Sequence, residues 1–277
     1  MDSKHPSIPP YSLGPADFIE FLPGVSSPAK VRFHDGLWAI HYPGDRVQSH
    51  RLASELVGYR VAKLLDVRVP QLEVVPIPRS FTPTGTGRTI DAGFGTASRW
   101  IDGASYPKLD KPPDWNDSSQ SAFPPEPFWR FNPYAELAAA IVVLDTWIMN
   151  FDRRKEGNLA IQGDPESPHV FCLDFDRAFT TKLSYGGRHY HWSSDVFPRE
   201  ELYSREALSV FGEPRVCGDV STTGRTALKR LASLSEQELR SVFNEVPLSW
   251  GISPRAIDLW HSRLIERRAI LLEWRFK

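Results

Sequence analysis

Residues 144–179 read LDTWIMNFDRRKEGNLAIQGDPESPHVFCLDFDRAF. An apolar helical run ends at Met149 and gives way to Asn150, Asp152, Arg153 and Arg154. Asn158 then opens a short strand, Leu159-Ala160-Ile161, and after a polar, Pro-containing turn a second strand, Val170-Phe171-Cys172-Leu173, delivers Asp174, with Asp176 two residues on. Polar, metal-capable groups therefore stand on turns and strand ends beside apolar segments. Packing gives little reason for that crowding, and breaks in local patterning of this kind concentrate at functional sites.

Working outward, Asn132-Pro133 is a helix start, an N-cap followed by proline at the first helical position, so Tyr134 to Met149 is expected as a largely buried helix. The stretch before it, Pro107 to Pro127, is dense in Pro, Asp and Ser and reads as a long surface loop or linker. Further back the pattern changes to strands. Phe18 to Leu22 has strand character, Pro23 to Pro28 is turn-forming, and Lys30 to Phe33 and Leu37 to Tyr42 form a hairpin about an Asp35-Gly36 turn. Alternation places Lys30 and Arg32 on one face of their strand and Leu37, Ala39 and His41 on one face of theirs. Ser49 to Leu65 reads as an amphipathic helix with Leu52, Leu56, Tyr59 and the stem of Lys63 on one stripe. Leu72 to Ile77 is a further strand, residues 79–92 are a mobile Thr- and Gly-rich loop, and Phe94 to Ile101 is an edge strand.

Downstream, Ser184 to Ser194 (SYGGRHYHWSS) is a loop carrying Arg188, His189 and His191. The remainder is mostly helical. Ser235-Glu236-Gln237-Glu238 is a capping box, and Ser253-Pro254 starts a long amphipathic helix with Ile257, Trp260, Leu264, Ile265, Leu271 and Trp274.

At 277 residues the chain can bury two cores. A net charge of -1, with 24% charged and 41% hydrophobic residues, is ordinary globular composition and argues against direct nucleic-acid binding. Cys172 and Cys217 read as two reduced thiols. The first residues lack an apolar signal-peptide core, and the longest apolar run, Leu137 to Met149, contains Asp145 and is too short to span a bilayer. The expectation is a soluble, cytoplasmic protein that uses neither membrane nor nucleic acid.

Phosphoryl transfer from ATP needs a divalent cation on hard oxygen ligands, a base for the acceptor hydroxyl and cations on the phosphates. Asp152 is placed to orient an acceptor, and Asn158 and Asp174, joined by a strand turn, to share one Mg2+. Asp174-Phe175-Asp176 resembles the DFG segment of protein kinases with its glycine replaced. Asn150-Phe151-Asp152-Arg153-Arg154 with Gly157-Asn158 resembles the N-x-D-R-[HR] loop of the HipA-like kinases, and Leu173 to Phe179 resembles that family's I-D-H-G-x-A-F segment. Ser54-Glu55-Leu56-Val57, Val69-Pro70 and Gly95 to Trp100 resemble, in the same order, its N-E-L-V helix, V-P and G-S-R-Y strand. The likeness is closer to stand-alone members without the usual N-terminal extension.

The resemblance implies Asp152 as catalytic base, Asn158 and Asp174 as Mg2+ ligands, and Glu55 as partner of a strand lysine. Trp38-Ala39-Ile40-His41 matches the V-A-I-K strand, but its lysine position is His41, a shorter side chain that is largely neutral near pH 7. Lys30, and after it Arg32, stands on the neighbouring strand as a substitute cation. Ser26 and Ser27 in the Pro23 to Pro28 turn offer donors to phosphates, although an ordinary hairpin turn is the reading that stretch favours, and Arg153 and Arg154 can steady the transferred group or the loop.

Blander readings exist for each group. Asp152 with its arginines reads as a solvated salt-bridge loop, Asn158 as a turn cap, Asp174 and Asp176 as strand-end acids, and Glu55 as a surface helix acid. The expected architecture is α+β, bilobal and protein-kinase-like: a leader over 1–16, a sheet-rich N-terminal lobe over 17–104, a linker or surface loop over 105–131 and a mostly helical C-terminal lobe over 132–277. The expected activity is ATP- and Mg2+-dependent transfer of the γ-phosphate to a hydroxyl of a protein or small molecule, under a possible regulatory protein partner. The alternatives are a pseudokinase that binds nucleotide with little or no turnover and a metal-dependent hydrolase built on Asp174, Asp176, His189 and His191.

Overall fold

The computed structural model describes residues 11–23, 27–44, 49–106, 140–141, 143–145, 147–148, 150, 157–164, 169–179, 183–185, 188–190 and 220–272. The chain divides into two compact units, one of Met1–Leu56, Pro70–Trp100 and Glu245–Ile252, the other of Val57–Val69, Ile101–Asn244 and Ser253–Lys277.

The first unit is built on strands β1 (Phe18–Phe21), β2 (Ala29–Phe33), β3 (Gly36–His41), β4 (Leu72–Ile77) and β5 (Gly93–Arg99). They form one antiparallel sheet in the order β1-β2-β3-β5-β4. The strand over Gly93–Arg99, expected at an edge, is therefore an inner strand, and β1 and β4 are the edges. Its small residues account for this. A Cβ at Gly95 would lie 2.5 Å from the carbonyl oxygen of His41, so only glycine permits the close approach of β5 to β3.

Alternation sorts the sheet faces as expected. Ala29, Val31, Phe33, Trp38, Ile40, Val75, Ile77 and Ala97 form the core of this unit with Tyr11, Leu13, Tyr42 and Ile90. Lys30, Arg32, Leu37, Ala39 and His41 take the other face. Asp35, in the β2–β3 turn, ties the core together. Its carboxylate accepts from Tyr11 Oη at 2.8 Å, Trp38 Nε1 at 2.9 Å and Arg99 Nη1 at 2.6 Å. Burial pushes its pKa up, but the bonds from Trp38 and Tyr11 and the Arg99 charge outweigh this and hold it below the usual carboxylate value. The 79–92 stretch, expected as a loop, is closed by a two-way backbone pair between Phe81 and Ile90.

Helix α1 (Ser49–Leu64) departs from the amphipathic expectation. Leu52, Ala53, Ser54, Glu55, Leu56, Val57 and Tyr59 are all buried, whereas Lys63 is exposed. A helix whose central turns are covered on all sides has no continuous polar stripe. It ends in a Schellman turn, with Asp66 in the left-handed region (φ 57°), Val67 N–H donating to Ala62 O at 3.0 Å and Asp66 N–H to Lys63 O at 3.1 Å.

In the second unit, residues 140–141, 143–145 and 147–148 are helical (α2), and Ile141, Val143, Leu144, Trp147 and Ile148 are buried. The expected start at Asn132-Pro133 lies outside the described residues. Strands β6 (Leu159–Gln162) and β7 (His169–Cys172) pair antiparallel, as the apolar runs predict, and Cys172 is buried and in no disulfide among the described residues. Cys217 lies outside the described residues. The stretch expected as a loop contains a small hairpin, β8 (Leu183–Tyr185) and β9 (Arg188–Tyr190). Helices α3 (Val220–Ser233), α4 (Glu236–Ser241) and α5 (Pro254–Leu272) complete the unit. α4 opens with the expected capping box, Ser235 Oγ accepting from Glu238 N–H and Glu238 Oε2 from Ser235 N–H. Among the described residues, no helix is long and apolar enough to cross a membrane.

Candidate functional site

The register of β6 on β7 pairs Leu159 with Cys172, and Leu173 N–H donates to Asn158 O at 3.0 Å. Asn158 and Asp174 therefore stand at the same end of one hairpin. Asn158 is 2% exposed. Asp174 has φ 52°, a left-handed conformation uncommon outside glycine, and its Oδ1 accepts from the Asp176 N–H at 3.3 Å, a turn closed by the side chain. The hydrogen bond and the packing of the following residue hold that conformation in place.

That following residue is Phe175, fully buried, with its ring edge-on to Tyr59 at 5.1 Å between centroids. It lies directly on the backbone of α1: a Cβ at Gly58 would sit 2.4 Å from Phe175 Cβ. Asp176 is buried as well. Phe179, also left-handed (φ 56°), donates its N–H to Ile148 O at 3.0 Å and stacks on Trp260 of α5 at 5.1 Å. The segment from Asp174 to Phe179 is thus pinned on α1, α2 and α5.

The α2 end is equally constrained. Asn150 N–H donates to Asp145 O at 2.8 Å and its Nδ2 to Asp145 Oδ1 at 3.3 Å, both residues being buried. Asn150 Oδ1 is buried and accepts no hydrogen bond. Asp152, Arg153 and Arg154, which follow it, lie outside the described residues, as do Ser26 and His191; of His189 only the backbone, in β9, is described. Among the described residues no group of three His, Cys, Asp or Glu side chains is placed to hold a metal. Asn158 and Asp174, one amide and one carboxylate, fall outside such a count, and their oxygens are the hard donors that Mg2+ takes.

In the first unit, Glu55 is 3% exposed and so is not the surface acid of the blander reading. His41 closes β3 opposite Thr96 of β5, whose hydroxyl is buried without a hydrogen-bond partner. Lys30, opposite Ala39, is held by Glu20 of β1 at 3.2 Å and lies 4.6 Å from the Trp100 ring centroid. Its ammonium is committed to a carboxylate and an aromatic face. Ser27 is buried in a left-handed conformation (φ 42°), and its carbonyl accepts from Tyr42 Oη at 3.4 Å.

Two supporting features escaped the sequence. Gly58 carried a signal, a glycine inside a helical run, which marks a close approach when it is retained at a cost in helix propensity. The bond from Arg267 of α5 to Trp147 O, at 2.7 Å, joins residues 120 positions apart and left no local trace.

No protein-family model and no curated protein sequence matches the chain. Among solved structures, it is similar to the Helicobacter pylori proinflammatory kinase CtkA, with 10% identity, a TM-score of 0.56 and 92% of each chain covered. HipA of Shewanella oneidensis MR-1, solved with HipB and operator DNA, aligns at 10% identity and TM-score 0.45 over 92% of this chain and 65% of that one. The CtkA likeness, over nearly the whole of both chains, identifies the architecture as the α+β kinase fold that the sequence resemblance implied.

Proposed function

We propose that the chain is an ATP- and Mg2+-dependent phosphotransferase of the HipA-like type, acting in the cytoplasm on a hydroxyl acceptor of a protein or small molecule. One observation carries this reading: the β6–β7 end presents Asn158 and Asp174 together, with Asp174 in a left-handed turn locked by buried Phe175. A donor set of one amide and one carboxylate oxygen fits Mg2+. When bound there, the ion neutralises charge on the phosphate oxygens. Asn158 and Asp174 hold and orient it. Asp152 receives the proton of the acceptor hydroxyl as its oxygen bonds to the γ-phosphorus and the bond to ADP breaks, and Arg153 steadies the transferred group. Ser26 and Ser27 cover the phosphates, Glu55 orients the cation, and Lys30 or His41 supplies it.

The second reading is a pseudokinase that binds nucleotide or a regulatory protein partner. Two observations favour it: the strand lysine position is His41, and the Lys30 ammonium is engaged by Glu20 and Trp100. Incubation with γ-labelled ATP and Mg2+, alone and with lysate, separates the two. Label transfer that is lost in Asp152→Ala and Asp174→Ala supports the kinase; transfer indifferent to both removes it. Mg2+-dependent thermal stabilisation by ATP with no transfer selects the pseudokinase.

A further inference from the structure

The last carbonyls of an α-helix have no partner within the helix and must be satisfied from elsewhere. At the end of α2 three of them find partners in three different parts of the chain. Asp145 O accepts from Asn150 N–H at 2.8 Å, Ile148 O from Phe179 N–H at 3.0 Å, and Trp147 O from Arg267 Nε at 2.7 Å. Trp147, fully buried, returns a bond from its Nε1 to Leu264 O at 2.8 Å, and Phe179 stacks on Trp260, one helical turn before Leu264. One face of α5 thus grips both the helix end that leads into Asn150 and Asp152 and the segment that begins at Asp174.

We propose that Arg267 is a positioning residue for phosphoryl transfer, fixing the end of α2 against the Asp174–Phe179 segment so that the base and the metal ligands keep one relative geometry. This rests on the kinase reading above. Burial, and after it the Arg263 charge, brings the Arg267 pKa down to about 9. What the guanidinium adds is direction: a charge-assisted bond to one carbonyl at a helix C-terminus, where the dipole favours a cation.

The test compares Arg267→Met and Arg267→Lys with wild type in the full chain. Phosphoryl transfer to a generic acceptor gives kcat and KM for ATP, thermal denaturation gives Tm, and amide hydrogen exchange gives protection at Asn150 and Phe179, with Leu173 as the internal control. The expected result for Arg267→Met is a kcat about tenfold lower per folded molecule, KM for ATP within about twofold, and faster exchange at Asn150 and Phe179 but not at Leu173. Arg267→Lys, which keeps the charge, recovers part of the loss. Should Arg267→Met not fold, Trp147→Phe removes the bond to Leu264 O and is expected to shift the same two amides. Unchanged exchange at both amides, or a kcat that falls only in proportion to lost folded protein, overturns the proposal. If wild type transfers no phosphate, the kinase reading fails, and the exchange measurement still decides whether Arg267 fixes the two segments.

Discussion

At the β6–β7 end each chemistry-bearing residue is fixed by something that cannot easily move: Asn158 by the strand register, Asp174 by its side-chain turn, Phe175 by the bare backbone of Gly58. On the sheet face of β2, β3 and β5 the backbone is just as regular, yet the side chains do not commit to one role. His41 stands where a lysine is expected, Lys30 is turned to Glu20 and Trp100, and the Thr96 hydroxyl is buried without a partner. The proposed metal-holding end is thus built by packing, which tolerates little change. The proposed phosphate-holding face is built by partly buried side chains on a regular sheet, which one substitution alters without disturbing the fold.

That contrast can be broken at several points. Asp174→Ala is expected to lower label transfer by at least about 100-fold, because a carboxylate oxygen for the metal is lost, with a smaller fall in Tm from the lost side-chain turn; activity near wild type would mean the hairpin end is not the metal half. Gly58→Ala drives a methyl into Phe175 and should cost about 1–3 kcal/mol in a denaturant titration, with transfer reduced as Asp174 shifts. A neutral result would show that the packed half is looser than it looks.

On the sheet face, His41→Lys should raise the transfer rate about tenfold, as expected for restoring a permanent cation worth about 1.4 kcal/mol in the transition state. No gain would place the phosphate cation elsewhere. The smallest effect belongs to the Asp35 turn that supports this sheet. Its pKa is depressed on folding, so its contribution to stability is complete above the unfolded value and fades as pH falls through the folded one. Urea titrations of wild type and Asp35→Asn should differ by about 1–2 kcal/mol at neutral pH, begin to converge near about pH 4 and meet only below the depressed folded pKa. A difference that persists in acid would assign the effect to packing.

The strand pattern was legible because alternation is local: β2, β3, β4, β6 and β7 fall within a residue or two of the apolar runs that announce them. So was the placing of Asn158 and Asp174 at the ends of paired strands, because the spacing of polar groups beside apolar runs survives in the chain itself; Asp152 lies outside the described residues. Three things were not. The inner position of β5 depends on the Gly95 contact with His41, a relation between residues far apart. The burial of α1 all round hid Glu55 among what read as a polar face. The Arg267 bond to Trp147 O joins helices more than a hundred residues apart, and one arginine among several on an amphipathic helix looks like any solvated cation.

The central claim, that the β6–β7 end holds a divalent ion with the nucleotide, is tested most directly by titrating the chain with Mn2+ and following the free ion by electron paramagnetic resonance, with and without ATP. The account predicts Mn2+ binding that requires ATP and is lost in Asp174→Ala and Asn158→Ala. Binding of the same stoichiometry and affinity in both variants would contradict it.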